Sequence, residues 1–221
     1  LANIYLHYVL DLWVNWWRGK HARGEVYIIR YADDFLMCFQ YREDADRMRK
    51  ELTTRLQKFG LELHKEKTRL IEFGRFAEGN RKRRGEGKPK TFDFLGFTHI
   101  CSKGRKSGKY IVRRKSIKKR IRAKLQSVKE RLAQIRSKRL REQAKWLRSV
   151  VIGWMNYHAI PGNREALDTF RTEVIRSWMR SLRHRSQKAK RLRWEKMKKI
   201  VRRWIPSVRI VHPYPDQRLC V

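Results

Sequence analysis

The sequence predicts an α+β segment over residues 1–114, then a basic all-α bundle over 115–205 and an extended tail over 206–221. Three observations predict this layout. Short, β-prone apolar runs are confined to the first half of the chain, bounded by turn-forming residues. Beyond Arg114 the apolar residues step by threes and fours, the period of an amphipathic helix. The charge is also divided: residues 1–73 carry 13 basic and 11 acidic side chains, leaving 44 and 10 for the rest of a 221-residue chain of net charge +36. With 41% hydrophobic residues and eight tryptophans, the chain is too apolar to be a disordered basic tail.

The elements follow in order. Ile4, Tyr5, Tyr8, Val9, Leu12 and Trp16 mark a helix ending near Gly19. Val26–Ile29 and Phe35–Phe39 are apolar strands separated by Arg30-Tyr31-Ala32-Asp33-Asp34, a hairpin with acidic residues at its tip. A helix follows over 42–59, with Ala45, Met48, Leu52, Leu56 and Phe59 inward and Gly60 as its stop. Strands are expected at 68–73, 92–101 and 110–112, with a mobile loop over the Gly-, Lys- and Arg-rich stretch 79–90. In the bundle, Ile117, Ile121, Leu125, Val128, Leu132 and Ile135 line one helix. Leu140–His158 forms the next, stopped by Pro161-Gly162, Asn163 caps a third, and Leu192–Trp204 makes a shorter fourth.

Several classes are excluded. The longest uncharged run, Ser149–Asn163, has 15 residues and is too short and polar to span a bilayer. Cys38, Cys101 and Cys220 lie far apart with no C-x-x-C, so neither a disulfide framework nor a zinc ribbon is indicated. A chain this basic calls for a polyanionic partner, because +34 over the last 148 residues repels itself unless an anion is bound.

The chemistry concentrates at Asp33-Asp34. Two carboxylates at the tip of an apolar hairpin repel one another, and a hard divalent cation with oxygen ligands relieves that repulsion. The alternative is that Asp-Asp simply fills a turn. A third carboxylate is normally needed to bridge two ions.

The surroundings of this pair carry a resemblance. Tyr31-Ala32-Asp33-Asp34 between strands, then Gly60-Leu61-Glu62-Leu63-His64-Lys65-Glu66-Lys67-Thr68, then Phe94-Leu95-Gly96-Phe97 resembles the palm of reverse transcriptases. Gly153-Trp154-Met155-Asn156-Tyr157-His158 within a basic bundle is similar to the thumb/X (maturase) region of bacterial group II intron reverse transcriptases, and Leu1–Leu6 to the palm helix before the hairpin. The resemblance implies a partial palm over 1–114 and a thumb over 115–205. It implies that Asp33 and Asp34 bind Mg²⁺, two ions in the complete enzyme, and that Tyr31 and Ala32 lie beside the nucleotide and primer end. Lys67 would then protonate the leaving pyrophosphate, and Leu95 and Gly96 would support the primer strand. The partners implied are intron RNA, an RNA template, a DNA primer and dNTPs, in a bacterial cytoplasm and away from any membrane.

Phosphate contacts are expected from loop and helix-end cations: Arg81, Lys82, Arg83, Arg84, Lys103, Arg105, Lys106, Lys109, Arg113, Arg114, Lys118 and Lys119. Trp154, Tyr157, Trp178 and Trp204 fall in phase with the apolar stripe and read as core rather than base-stacking platforms. The sequence from Leu1 to Val221 contains neither the fingers region nor the earlier palm aspartate of complete members of that family, nor a Cys/His endonuclease spacing. The expectation is therefore a C-terminal portion of an endonuclease-lacking enzyme, inactive as a polymerase by itself. Alternatives are a non-catalytic RNA-binding splicing factor with a vestigial palm, or a retron- or CRISPR-associated reverse transcriptase.

Overall fold

The computed structural model describes residues 1–104 and 107–214. The chain divides into two compact units, Leu1–Glu72 and Phe73–Val221. The division coincides with the break in charge, since the 13 basic and 11 acidic residues all lie in the first unit. The boundary expected after residue 114 falls inside a strand of the second unit.

In the first unit, α1 (Ala2–Leu6) runs through a π-helical turn, His7–Asp11, into α2 (Leu12–Lys20). Then come β1 (Val26–Tyr31), β2 (Asp34–Phe39) and α3 (Arg42–Lys58). The strands pair antiparallel from Val26 opposite Phe39 to Tyr31 opposite Asp34. The core is Val9, Leu10, Val14, Trp17, Val26, Met48, Leu52 and Leu56. Of the apolar stripe expected of the first helix it uses only Val9. Ile4, Tyr8, Leu12 and Trp16 are 61%, 64%, 46% and 53% exposed, and past the π turn, which inserts an extra residue and shifts the phase, α2 buries Val14 and Trp17 in place of Leu12 and Trp16. Trp17 Nε1 donates to Glu51 Oε2 at 2.6 Å, and Arg55 Nε to the Val9 carbonyl at 2.8 Å, tying the helices together.

Helix α3 ends as expected. Gly60 has φ +68°, its N–H donates to the Gln57 carbonyl, and Leu61 N–H reaches back to the Leu56 carbonyl at 2.9 Å, the paired bonds of a Schellman cap. Buried Asp44 accepts from the N–H groups of Arg23 and Gly24 at 2.9 and 3.2 Å, which fixes the α2–β1 connection.

The second unit opens with α4 (Ala77–Arg83), followed by β3 (Phe92–Phe94), β4 (Phe97–Lys103) and β5 (Tyr110–Ser116) in one antiparallel sheet of order β3-β4-β5. Three expectations change here. Residues 68–73 form no strand. The run 92–101 is a hairpin folded at Leu95-Gly96 rather than one strand. The stretch 79–90 is helical over its first part, where Arg81 fastens the helix end by donating to the Gly87 carbonyl at 2.8 Å and pairing with Glu86 at 2.8 Å.

The bundle contains α5 (Lys118–Gln134), α6 (Leu140–His158), α7 (Arg164–Arg183), α8 (Gln187–Lys190) and α9 (Trp194–Trp204). Val128, Leu132, Leu147, Val151, Phe170, Val174, Trp178, Met197 and Val201 belong to its core, in the phase the sequence predicts. Trp178 is fully buried and donates to Gln143 Oε1 at 3.0 Å, while Tyr157 is 51% exposed and is not core. Asn163 sits at the N-cap of α7 but makes no side-chain cap. Its Oδ1 accepts from Ser116 N–H at 3.0 Å, and its Nδ2 donates to Ser116 Oγ and the His158 carbonyl, both at 2.8 Å. Ser116 Oγ and His158 Nδ1 share a further hydrogen bond at 3.0 Å. This trio joins the end of β5 to the α6–α7 connection. At 4%, 5% and 1% exposure for Ser116, His158 and Asn163, it is closed to any substrate.

Candidate active site and nucleic-acid surface

The Tyr31–Asp34 hairpin is built on strands whose inner positions pack on the first unit's helices. Tyr31, Ala32, Asp33 and Asp34 are all exposed. Tyr31 pairs with Asp34 across the strand end, leaving Ala32 and Asp33 as the two loop residues. Ala32 has φ +55° and Asp33 is not in the positive region, the sign pattern of a type II′ turn, in which glycine is the favoured first residue. An L-residue held there costs about 1–2 kcal/mol. A compensating bond is present: Arg30 Nη1 donates to the Ala32 carbonyl at 2.9 Å, and charge-assisted hydrogen bonds contribute about 1.5–3 kcal/mol.

Arg30 is anchored from behind. Its Nε and Nη2 donate to Asp11 Oδ1 and Oδ2 at 2.8 and 2.6 Å, and Nη1 also reaches Asn3 Oδ1 at 3.2 Å. The bond to Arg30 pulls the Asp11 carboxyl below its ordinary range, with His7 adding to the effect. Sequence reasoning missed this residue, although the signal was present. Arg30 is in phase with Val26 and Ile28, and a cation on the inner face of a strand requires a partner.

Asp33 and Asp34 offer hard oxygen donors of the kind Mg²⁺ takes. Among the described residues no three His, Cys, Asp or Glu side chains gather, so a cation at this pair would need its remaining oxygen ligands from water or phosphate. Lys67 lies in the same unit, exposed, in a turn closed by its N–H and that of Thr68 donating to the His64 carbonyl.

Leu95 and Gly96 belong to the second unit. Their φ values of +47° and +82° make a type I′ turn between β3 and β4. Two bonds hold it, Tyr157 OH donating to the Leu95 carbonyl at 2.7 Å and Ile117 N–H to the Gly96 carbonyl at 3.2 Å, and the Arg120 guanidinium occupies the space that a Cβ on residue 96 would need.

Of the expected phosphate-contacting residues, Lys82, Arg83, Arg84, Lys103, Lys109, Lys118 and Lys119 are exposed. Arg81 is engaged as described, Arg83 bonds Asn80 Oδ1 at 3.3 Å, Arg84 bonds Glu86 at 2.7 Å, and Lys103 pairs with Glu78 at 3.3 Å. Arg113 lies 3.7 Å from Glu165, and Arg114 is half-buried. Arg105 and Lys106 lie outside the described residues. The first turn of α5 carries Lys118 and Lys119 with no acidic residue, opposing the helix dipole unless an anion docks there.

Among the described residues no helix is long and apolar enough to cross a membrane. No curated protein matches the chain. Residues 1–99, which carry the acidic hairpin, Lys67 and the Leu95-Gly96 turn, match the family model of the reverse transcriptases (RNA-dependent DNA polymerases), and this is the family to which the segment is similar.

Proposed function

We propose that the chain supplies palm and thumb elements of a group II intron reverse transcriptase that also assists splicing as a maturase. The observation that carries this reading is the exposed Asp33-Asp34 pair on a strained turn at the tip of an apolar antiparallel hairpin, within a segment matching the reverse transcriptase family. Asp33 and Asp34 would hold Mg²⁺, which when bound acidifies the primer 3′-hydroxyl and neutralises the triphosphate. Tyr31 would pack beside the incoming nucleotide. Lys67 would deliver a proton to the departing pyrophosphate, where growing negative charge favours donation. The Leu95-Gly96 turn would support the primer strand, and the exposed lysines would hold template and intron phosphates.

The test is replacement of Asp33 and Asp34 by Asn in the protein expressed from its gene, assayed by primer extension on an RNA template and by RNA binding. Complementary-DNA synthesis collapses and RNA binding persists under this reading; unchanged synthesis overturns the cation site. The maturase assignment is checked by splicing of the intron RNA around the gene, which proceeds faster with the protein present.

A further inference from the structure

We propose that Arg30 is a positioning residue that sets the turn presenting Asp33 and Asp34, and that Asp11 in the π-helical turn holds it in place. The proposal rests on the reading of those carboxylates as a cation site. One guanidinium makes four bonds: two parallel ones to Asp11, one to Asn3 and one to the Ala32 carbonyl.

The last bond is the informative one. The Ala32 carbonyl belongs to the peptide between the two loop residues, and the orientation of that peptide is what separates one two-residue turn type from its flipped counterpart. A donor fixed on its oxygen therefore selects the turn, and with it the direction in which the Asp33 side chain and N–H leave the hairpin. Arg30 can act so because it is immobile. Its side chain is 15% exposed, and its bidentate partner is presented by a helix fastened to α3 through the Arg55 bond to the Val9 carbonyl. The bond pattern demands a planar fork with separate edges for Asp11 and Ala32. A lysine, with a single ammonium, cannot occupy both.

The test uses the 221-residue chain labelled with ¹⁵N and titrated with Mn²⁺, reading the paramagnetic broadening of the Ala32, Asp33 and Asp34 amides, beside thermal unfolding. The proteins compared are wild type, D33N/D34N, R30K and D11N. In R30K we expect those three amides to shift while α3 amides hold, and the Mn²⁺ midpoint to rise about tenfold, the scale of losses for groups that orient metal ligands. D11N keeps the Arg30 side chain but weakens its anchor, and its midpoint should lie between the two; it also serves if R30K does not fold. An R30K or D11N protein with turn amides and Mn²⁺ midpoint within twofold of wild type overturns the proposal. If D33N/D34N broadens like wild type, the cation-site reading fails instead, and the amide shifts still decide whether Arg30 sets the turn.

Discussion

The Tyr157 hydroxyl, at the end of α6, donates to the carbonyl of Leu95 at 2.7 Å, so a helix of the bundle holds the tightest turn of the three-stranded sheet. The ring also stacks on Phe97, with centroids 5.7 Å apart. Tyr157→Phe removes the bond and keeps the stack. It should cost about 0.5–1.5 kcal/mol locally and speed amide exchange at Phe94 and Phe97, read by hydrogen-exchange mass spectrometry, with little change at β5.

Gly96→Ala and Gly153→Ala should move stability in opposite directions. At Gly96 a methyl would meet Arg120 Nη1 at 2.9 Å and the Tyr157 ring at 3.4 Å with φ at +82°, so a loss of about 1–2 kcal/mol is expected. Gly153 lies inside α6 with nothing within 4 Å of the added carbon, and alanine should gain up to about 1 kcal/mol there. Urea unfolding followed on bundle tryptophans distinguishes them.

Acid should weaken the second unit through His158. Burial, aided by the nearby Arg120 charge, pushes its pKa from the ordinary 6.5 down to about 4. The unfolded chain therefore takes up a proton that the folded chain refuses, and stability falls as pH drops from 6.5 toward 4 and is restored above that window. Half-buried His99, shifted down chiefly by burial, acts in the same direction. The melting temperature of His158→Gln, measured over this range, should decline less steeply than that of wild type.

RNA affinity should fall steeply with salt, and Lys118→Ala with Lys119→Ala should lower the slope of log K against log[salt] by about 1 for each phosphate no longer neutralised. Filter binding from low to moderate salt gives the slope; an unchanged value would remove the start of α5 from the interface.

The elements most legible in the sequence were those with a single period. Most of the α5–α7 stripes and Ala45, Met48, Leu52 and Leu56 of α3 were readable, because an unbroken 3.6-residue repeat admits one buried face; Phe59 and Tyr157, expected inward, are exposed at or beyond the helix ends, where that repeat no longer decides burial. The first helix was misread because its π turn shifts the phase midway, and no propensity marks such a turn. Periodicity ran 92–101 together as one strand, because Leu95 holds a conformation that glycine normally signals, and only the resemblance of Phe94-Leu95-Gly96-Phe97 marked a turn there. In the candidate site the carboxylates were visible as a motif, whereas Arg30, Asp11 and Tyr157 act through bonds to backbone or to sequence-distant groups. Asn163 was correctly placed at a helix start, yet its side chain is committed to Ser116 and His158, groups that only the tertiary structure brings together.

The π-helical turn at His7–Asp11 has an evolutionary consequence. Each helical residue advances the chain by about 100°, so a residue gained or lost between Asp11, the last residue of that turn, and Val14 or Trp17 would rotate Asp11 away from the face those two bury. Substitutions along the exposed side of this helix should accumulate freely across homologous genes, while single-residue insertions and deletions between Asp11 and Trp17 should be purged. The spacing from Asp11 to Arg30 should thus vary less than the residues between them.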